Sequence, residues 1–232
     1  MLRKIDHKEM GKKDFGWLKA TYHFSFGDYY NPDNINFGVL RVLNDDVIKG
    51  NTGFDTHPHK DMEIITYVIE GQLTHEDSMG NKGKIGRGQV QYMSAGTGVY
   101  HSEHNLEDEA IRSLQIWITP DRKGHEPNYG DYKFDWEKRK NTWLNIVSSK
   151  TGEAPIKINQ DANFYVLELD EEKEIDFVVN SNRQAYLVQI EGSSQINSVK
   201  LNERDALEII EEDIIIKAEE TSHFIIIEME KS

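Results

Sequence analysis

The run Glu63-Ile64-Ile65-Thr66-Tyr67-Val68-Ile69-Glu70 stops at Gly71, and the same grammar recurs along the chain: a short β-branched or aromatic stretch closed by a turn residue. Residues 39–43, 112–118, 164–169, 185–190, 213–217 and 224–228 follow it. Runs this short, with little 3.6-residue periodicity, predict strands rather than helices. Nine of the 17 glycines fall between Gly50 and Gly98, and residues 78–83 form a turn cluster suited to a hairpin. Such a chain buries itself as a sandwich or barrel. Its 232 residues allow one large domain or two small ones.

Residues 121–132 are polar and contain Gly124, Pro127 and Gly130, which predicts a linker or surface excursion. A second set of strand-like runs follows, so the chain divides into 1–135 and 136–232. Tyr67-Val68-Ile69-Glu70-Gly71 is echoed by Leu187-Val188-Gln189-Ile190-Glu191-Gly192, which suggests a duplicated β-module. The acid-rich Asp170-Glu171-Glu172-Lys173-Glu174 reads as a solvated turn.

A net charge of −14 opposes a nucleic-acid backbone or an anionic membrane surface, so neither is an expected partner. The absence of cysteine excludes disulfides, thiolate metal sites and thiol nucleophiles. The N-terminus lacks the apolar core of a secretion signal, and no apolar run nears the ~20 residues of a membrane helix. The expected location is the cytoplasm.

The chemistry concentrates in two stretches. In His57-Pro58-His59, residues two apart on a strand share a face, so both imidazoles can aim at one point. Glu63 would join them if that strand ran on unbroken. Downstream of Gly86-Arg87-Gly88, His101 and Glu103 form another same-face pair. Imidazole and carboxylate together suit Fe, Mn, Co, Ni, Cu or Zn. Four protein ligands on an octahedral ion leave two positions open, whereas the same set on tetrahedral zinc is closed. No strand–helix unit follows the glycine pairs, which argues against a phosphate loop.

The wording Gly53-Phe54-Asp55-Thr56-His57-Pro58-His59-Lys60-Asp61-Met62-Glu63, the run Met93-Ser94-Ala95-Gly96-Thr97-Gly98 and the closing His101-Ser102-Glu103 resemble the pirin family of the cupin superfamily. Phe24-Ser25-Phe26-Gly27-Asp28-Tyr29-Tyr30 and Gln115-Ile116-Trp117-Ile118 share the resemblance, which is greatest to bacterial pirin-like proteins assigned quercetin 2,3-dioxygenase activity. It implies an all-β bicupin: two jelly-roll-like barrels with few short helices, the first holding one divalent transition metal. By the family pattern the ligands are His57, His59, His101 and Glu103, with iron the foremost metal. Glu63 then stands behind them, or replaces Glu103 as it would in many other cupins. The second module has only His223 and is expected to be metal-free.

The remaining histidines (7, 23, 75, 104, 125, 223) read as surface or satisfied core groups. Phe24 and Phe26 read as packing, and Met93 and Trp117 as core or pocket lining. Two functions follow from the resemblance. One is a dioxygenase that opens a flavonol such as quercetin with O2, Glu103 serving as both ligand and proton acceptor. The other is a non-enzymatic metal or redox sensor acting through a protein partner.

Overall fold

The computed structural model of the chain describes residues 1–231. They form two compact units. One comprises Met10–Phe134 with Ile158–Gln160; the other comprises Met1–Glu9, Asp135–Lys157 and Asp161–Ser232. All described ladders are antiparallel.

The first unit faces a large sheet against a small one. The large sheet runs β12 (Asn128–Tyr132), β9 (Val90–Ser94), β6 (Glu63–Glu70), β11 (Ile111–Ile118), β4 (Leu40–Ile48), β3 (Leu18–Tyr22), β2 (Gly11–Asp14). The small sheet runs β5 (Thr52–His59), β10 (Val99–Asn105), β7 (Gln72–Asp77), β8 (Lys82–Gly86). Between them Leu18, Ala20, Ile48 and Val68 of the large sheet pack on Leu73 and Ile85 of the small one.

The second unit repeats that plan. Its large sheet runs β1 (Leu2–Ile5), β20 (Ala206–Ile210), β17 (Arg183–Glu191), β22 (Ser222–Glu230), β15 (Ala162–Leu169), β13 (Leu144–Ser149), β14 (Ile156–Ile158). Its small sheet runs β16 (Glu174–Phe177), β21 (Ile214–Ala218), β18 (Ser194–Ile196), β19 (Val199–Leu201). Between its sheets lies an apolar cluster drawn from both, including Leu187, Leu207, Ile214, Ile216, Phe224 and Ile226.

The expected all-β, two-barrel architecture is what the chain adopts. The one regular helix among the described residues is a single 3-10 turn, Trp136–Arg139, and no helix is long and apolar enough to cross a membrane. The sequence echo falls at one topological place in both units. Glu70-Gly71 ends β6 and Glu191-Gly192 ends β17, each glycine with φ near +78° (78° and 79°), where the chain turns into the small sheet. A side chain is strained at that φ.

Three features depart from the sequence reading. The strand expected at 39–43 runs on to Ile48, because the polar Asn44-Asp45-Asp46 is buried within it. The polar stretch 121–132 is irregular only to Pro127; Asn128–Tyr132 is an edge strand paired with β9. Leu2–Ile5 pairs with β20, so the N-terminal residues complete the second unit's sheet.

Candidate metal centre

Register in the small sheet of the first unit builds the centre. His101 on β10 lies opposite His57 on β5, and Val99 lies opposite His59. The outward pair Pro58 and Tyr100 alternates with them, Tyr100 being 57% exposed. Beyond His57 the ladder bulges: Phe54 faces Glu103, so Asp55 and Thr56 oppose Ser102 alone. Gly53 permits this approach, since a Cβ there would lie 2.3 Å from the Glu103 carbonyl oxygen. The three imidazoles close a near-equilateral triangle, with centroids 4.5 Å (His57–His101) and 4.8 Å (the other two pairs) apart. Their ligand nitrogens all lie within 4.8 Å of one another.

Hydrogen bonding fixes which nitrogens are free. His57 Nδ1 donates to the Asp55 carbonyl at 2.7 Å, leaving Nε2 with its lone pair. His75 Nε2 donates to Asp77 at 3.1 Å, so His75 Nδ1 is an acceptor. It receives Gln91 Nε2 at 3.0 Å and His101 Nδ1 at 3.4 Å. His101 Nε2 therefore also carries a lone pair, and it faces His57 Nε2 at 3.1 Å. Two opposed lone pairs repel unless a cation lies between them. Ligands with bonds of about 2.1 Å set at a right angle stand about 3.0 Å apart, so the pair fits a metal ion. Burial, then His57 and His75, push His101 down to about 3; burial, then His101 and His57, hold His59 at about 4. Both rings are neutral at pH 7, as metal ligands must be.

Glu103 is held from the opposite sheet. Its Oε1 accepts Thr66 Oγ1 at 3.0 Å and Gln91 Nε2 at 3.2 Å, and its Oε2 accepts Gln115 Nε2 at 2.7 Å. Those three donors are successive register partners on β11, β6 and β9, and Asn44, the partner of Gln115 on β4, extends the row to a fourth strand. Motif reading misses this row, because single polar residues within apolar strands look like interruptions.

Glu63 sits elsewhere. β5 stops at His59, and Asp61 just beyond it has φ +50°, so the chain turns and Glu63 opens β6 in the other sheet. There its carboxylate accepts Tyr92 and Ser94 hydroxyls, each at 2.6 Å, and the Asn159 backbone N–H at 3.0 Å. It is absent from the converging ligand groups of the described residues. His104 faces away from the triad, near Asp55. His75, read as a satisfied core histidine, is satisfied, but its partners are Asp77, Gln91 and His101. The pattern His75-x-Asp77, one strand from His101, is the signal that could have placed it here. His75, His101 and Glu103 also bring ligand atoms within 4.8 Å, yet both His75 nitrogens are already used. In the second unit Asp6, His7 and Asp205 cluster, but Lys4 Nζ already stands 2.8 Å from Asp205.

Beside the triad lies a cavity of about 190 Å³ walled by Phe26, Phe54 and Trp117, with Asn44, Asp46 and Gln115 on its polar side. Phe26 thus lines the cavity rather than merely packing. Burial pushes the Asp46 carboxyl well above the usual carboxylate range, with Asp45 and Glu103 adding to it.

Residues 4–118 match the pirin family, and residues 145–229 match the quercetinase C-terminal cupin domain. A pirin-like protein of Caulobacter vibrioides is 43% identical over 97% of this chain and 99% of its own length. A protein of Escherichia coli K12 described as quercetin 2,3-dioxygenase is 39% identical over 98% and 97%. The crystal structure of the bacterial pirin YhhW of Escherichia coli in complex with nickel(II) superposes with a TM-score of 0.94 at 36% identity, covering 100% of both chains.

Proposed function

We propose that this chain, which belongs to the pirin family of the cupin superfamily, is a metal-dependent dioxygenase that opens a flavonol such as quercetin. His57, His59, His101 and Glu103 would hold the ion, iron first among Fe, Mn, Co, Ni, Cu and Zn. The observation that supports this most is the pair of opposed Nε2 lone pairs at 3.1 Å, with His59 completing the triangle. Phe26, Phe54 and Trp117 offer flat apolar faces that would stack an aromatic substrate and exclude water.

A bound divalent ion would supply Lewis acidity and, if redox-active, an electron route to O2. The chain's own part is to orient the substrate and move its proton. Glu103, presented by Thr66, Gln91 and Gln115, accepts the proton of the substrate hydroxyl beside the ring ketone. Ring opening then consumes one O2 and releases carbon monoxide, as the family resemblance implies. His75 and Asp77 hold the His101 ring at its far nitrogen, fixing its tautomer.

The test is oxygen uptake with quercetin, comparing metal-stripped protein with protein reloaded with each of these metals at verified occupancy. Uptake that requires metal and tracks flavonol loss is expected. Undiminished uptake after metal removal, or none with any metal, would overturn the reading.

A further inference from the structure

Asn44 and Asp46 stand two residues apart on β4, so both side chains leave the same face of the sheet. That face also carries Gln115, the register partner of Asn44, and Trp117, two residues further on β11. Asn44 and Asp46 are each 4% exposed, and both line the cavity beside the histidine triad. Asp45, between them, points the other way, and Arg112 grips it with Nε at 2.9 Å and an Nη at 2.7 Å. Its neighbours have no such provision. Asn44 Oδ1 and Asp46 Oδ1 are buried without a hydrogen-bond partner, and so is the indole Nε1 of Trp117.

A buried polar atom left without a partner is costly, and three around one cavity of about 190 Å³ point to a ligand that completes them. The two side-chain oxygens ask for donors, and the indole asks for an acceptor. Ring hydroxyls on a flat aromatic skeleton answer both and suit the Phe26 and Phe54 faces. The cavity is smaller than the roughly 300–1,000 Å³ usual for ligands of several rings. A second space of about 340 Å³, lined by Trp17, Tyr22 and Tyr29, shares Phe26 and Phe54 as lining residues.

We propose that Asn44 and Asp46 form a hydroxyl-reading subsite, selecting polyhydroxylated aromatic ligands over the same skeleton without those hydroxyls. This rests on reading the cavity as an aromatic-substrate site; it does not require that oxygenation occur. Glu103 and the histidines handle the hydroxy-ketone end, and Asn44 and Asp46 read a hydroxyl that takes no part in the chemistry.

The experiment measures equilibrium binding by tryptophan fluorescence, on metal-free and metal-loaded protein, with two probes. One is quercetin; the other is the parent flavonol, which keeps only the hydroxyl beside the ketone. The unaltered protein should prefer quercetin at least tenfold. Asn44→Leu and Asp46→Leu should each weaken quercetin about tenfold, the worth of roughly one hydrogen bond, and leave the parent flavonol within about twofold. Asp46→Asn, which keeps an acceptor and the shape of the side chain, should retain most of the preference. Equal affinity for both probes in the unaltered protein overturns the subsite, a result that stands even if the leucine variants do not fold. Equal weakening of both probes overturns it too, since that marks a structural role. Selective binding without oxygen uptake would leave the subsite standing and remove the dioxygenase reading alone.

Discussion

The two barrels share a strand plan and differ in what fills them. In strand order β5 and β10 of the first unit correspond to β16 and β21 of the second. Where His57 faces His101 in one, Ile175 faces Ile216 and Phe177 faces Ile214 in the other. The large sheets differ in the same way. Across the first runs the polar row Asn44, Gln115, Thr66, Gln91; across β15, β22, β17 and β20 run Tyr165, Ile226, Leu187 and Leu207. Burying apolar surface contributes roughly 25 cal/mol per Å², so the second interior strengthens its fold with each side chain. The first gives up part of that gain for imidazoles and amides that must all find partners. Most do, through Glu103, His75 and Asp77; those that do not border the cavity or stand beside it. Dense apolar packing and converging polar groups are thus divided between two units of one strand plan.

That division can be broken at either end. The largest effect is expected from His57→Ala or His101→Ala: metal content and quercetin turnover should both fall to background, while circular dichroism stays that of a folded β protein. Retained stoichiometric metal in either variant would dissolve the contrast between the interiors. Next, Ile216→Ala, on the strand of the second barrel that corresponds to β10, should cost about 2–5 kcal/mol by urea denaturation with no loss of metal per folded molecule.

Acid should separate the barrels more gently. Burial, against the pull of Asp45, lowers His23 from its ordinary 6.5 to about 4. The unfolded chain therefore takes up this proton near pH 6.5 and the folded chain only near pH 4, so stability falls as pH drops through that window. The expected loss is about 3 kcal/mol, confined to the first barrel and removed by His23→Gln. A loss unchanged by that substitution would assign it to other groups. Smallest is His75→Ala, which removes the group holding His101 Nδ1; metal affinity should weaken by about 10–100-fold in competition with a chelator, and His75→Gln should restore part of it.

Legibility differed between backbone and site. Strands such as Glu63–Glu70 stand out because β-branched runs bounded by glycine leave few alternatives, and the Glu-Gly echo by itself marks β6 and β17 as equivalents. The apolar run of β4 ends at Leu43, so the pattern stops before Asn44-Asp45-Asp46; only a neighbouring Arg112 and a cavity explain three polar residues inside a strand. Asn128–Tyr132 carries no strand pattern because an edge strand need bury little.

The sequence alone determined that His57 and His59 share a face, that His101 and Glu103 share another, and that disulfides and thiolate ligands are impossible here. Those follow from strand parity and composition, which are local. Only the tertiary structure decided that the two faces meet, because register between β5 and β10 depends on the bulge at Asp55–Thr56 and the close approach at Gly53. It also sent Glu63 to the other sheet through the turn at Asp61, and set His75, Gln91 and Gln115 around His101 and Glu103. Parity is a property of one strand. Convergence depends on how strands far apart in the chain are packed, and no local pattern records that.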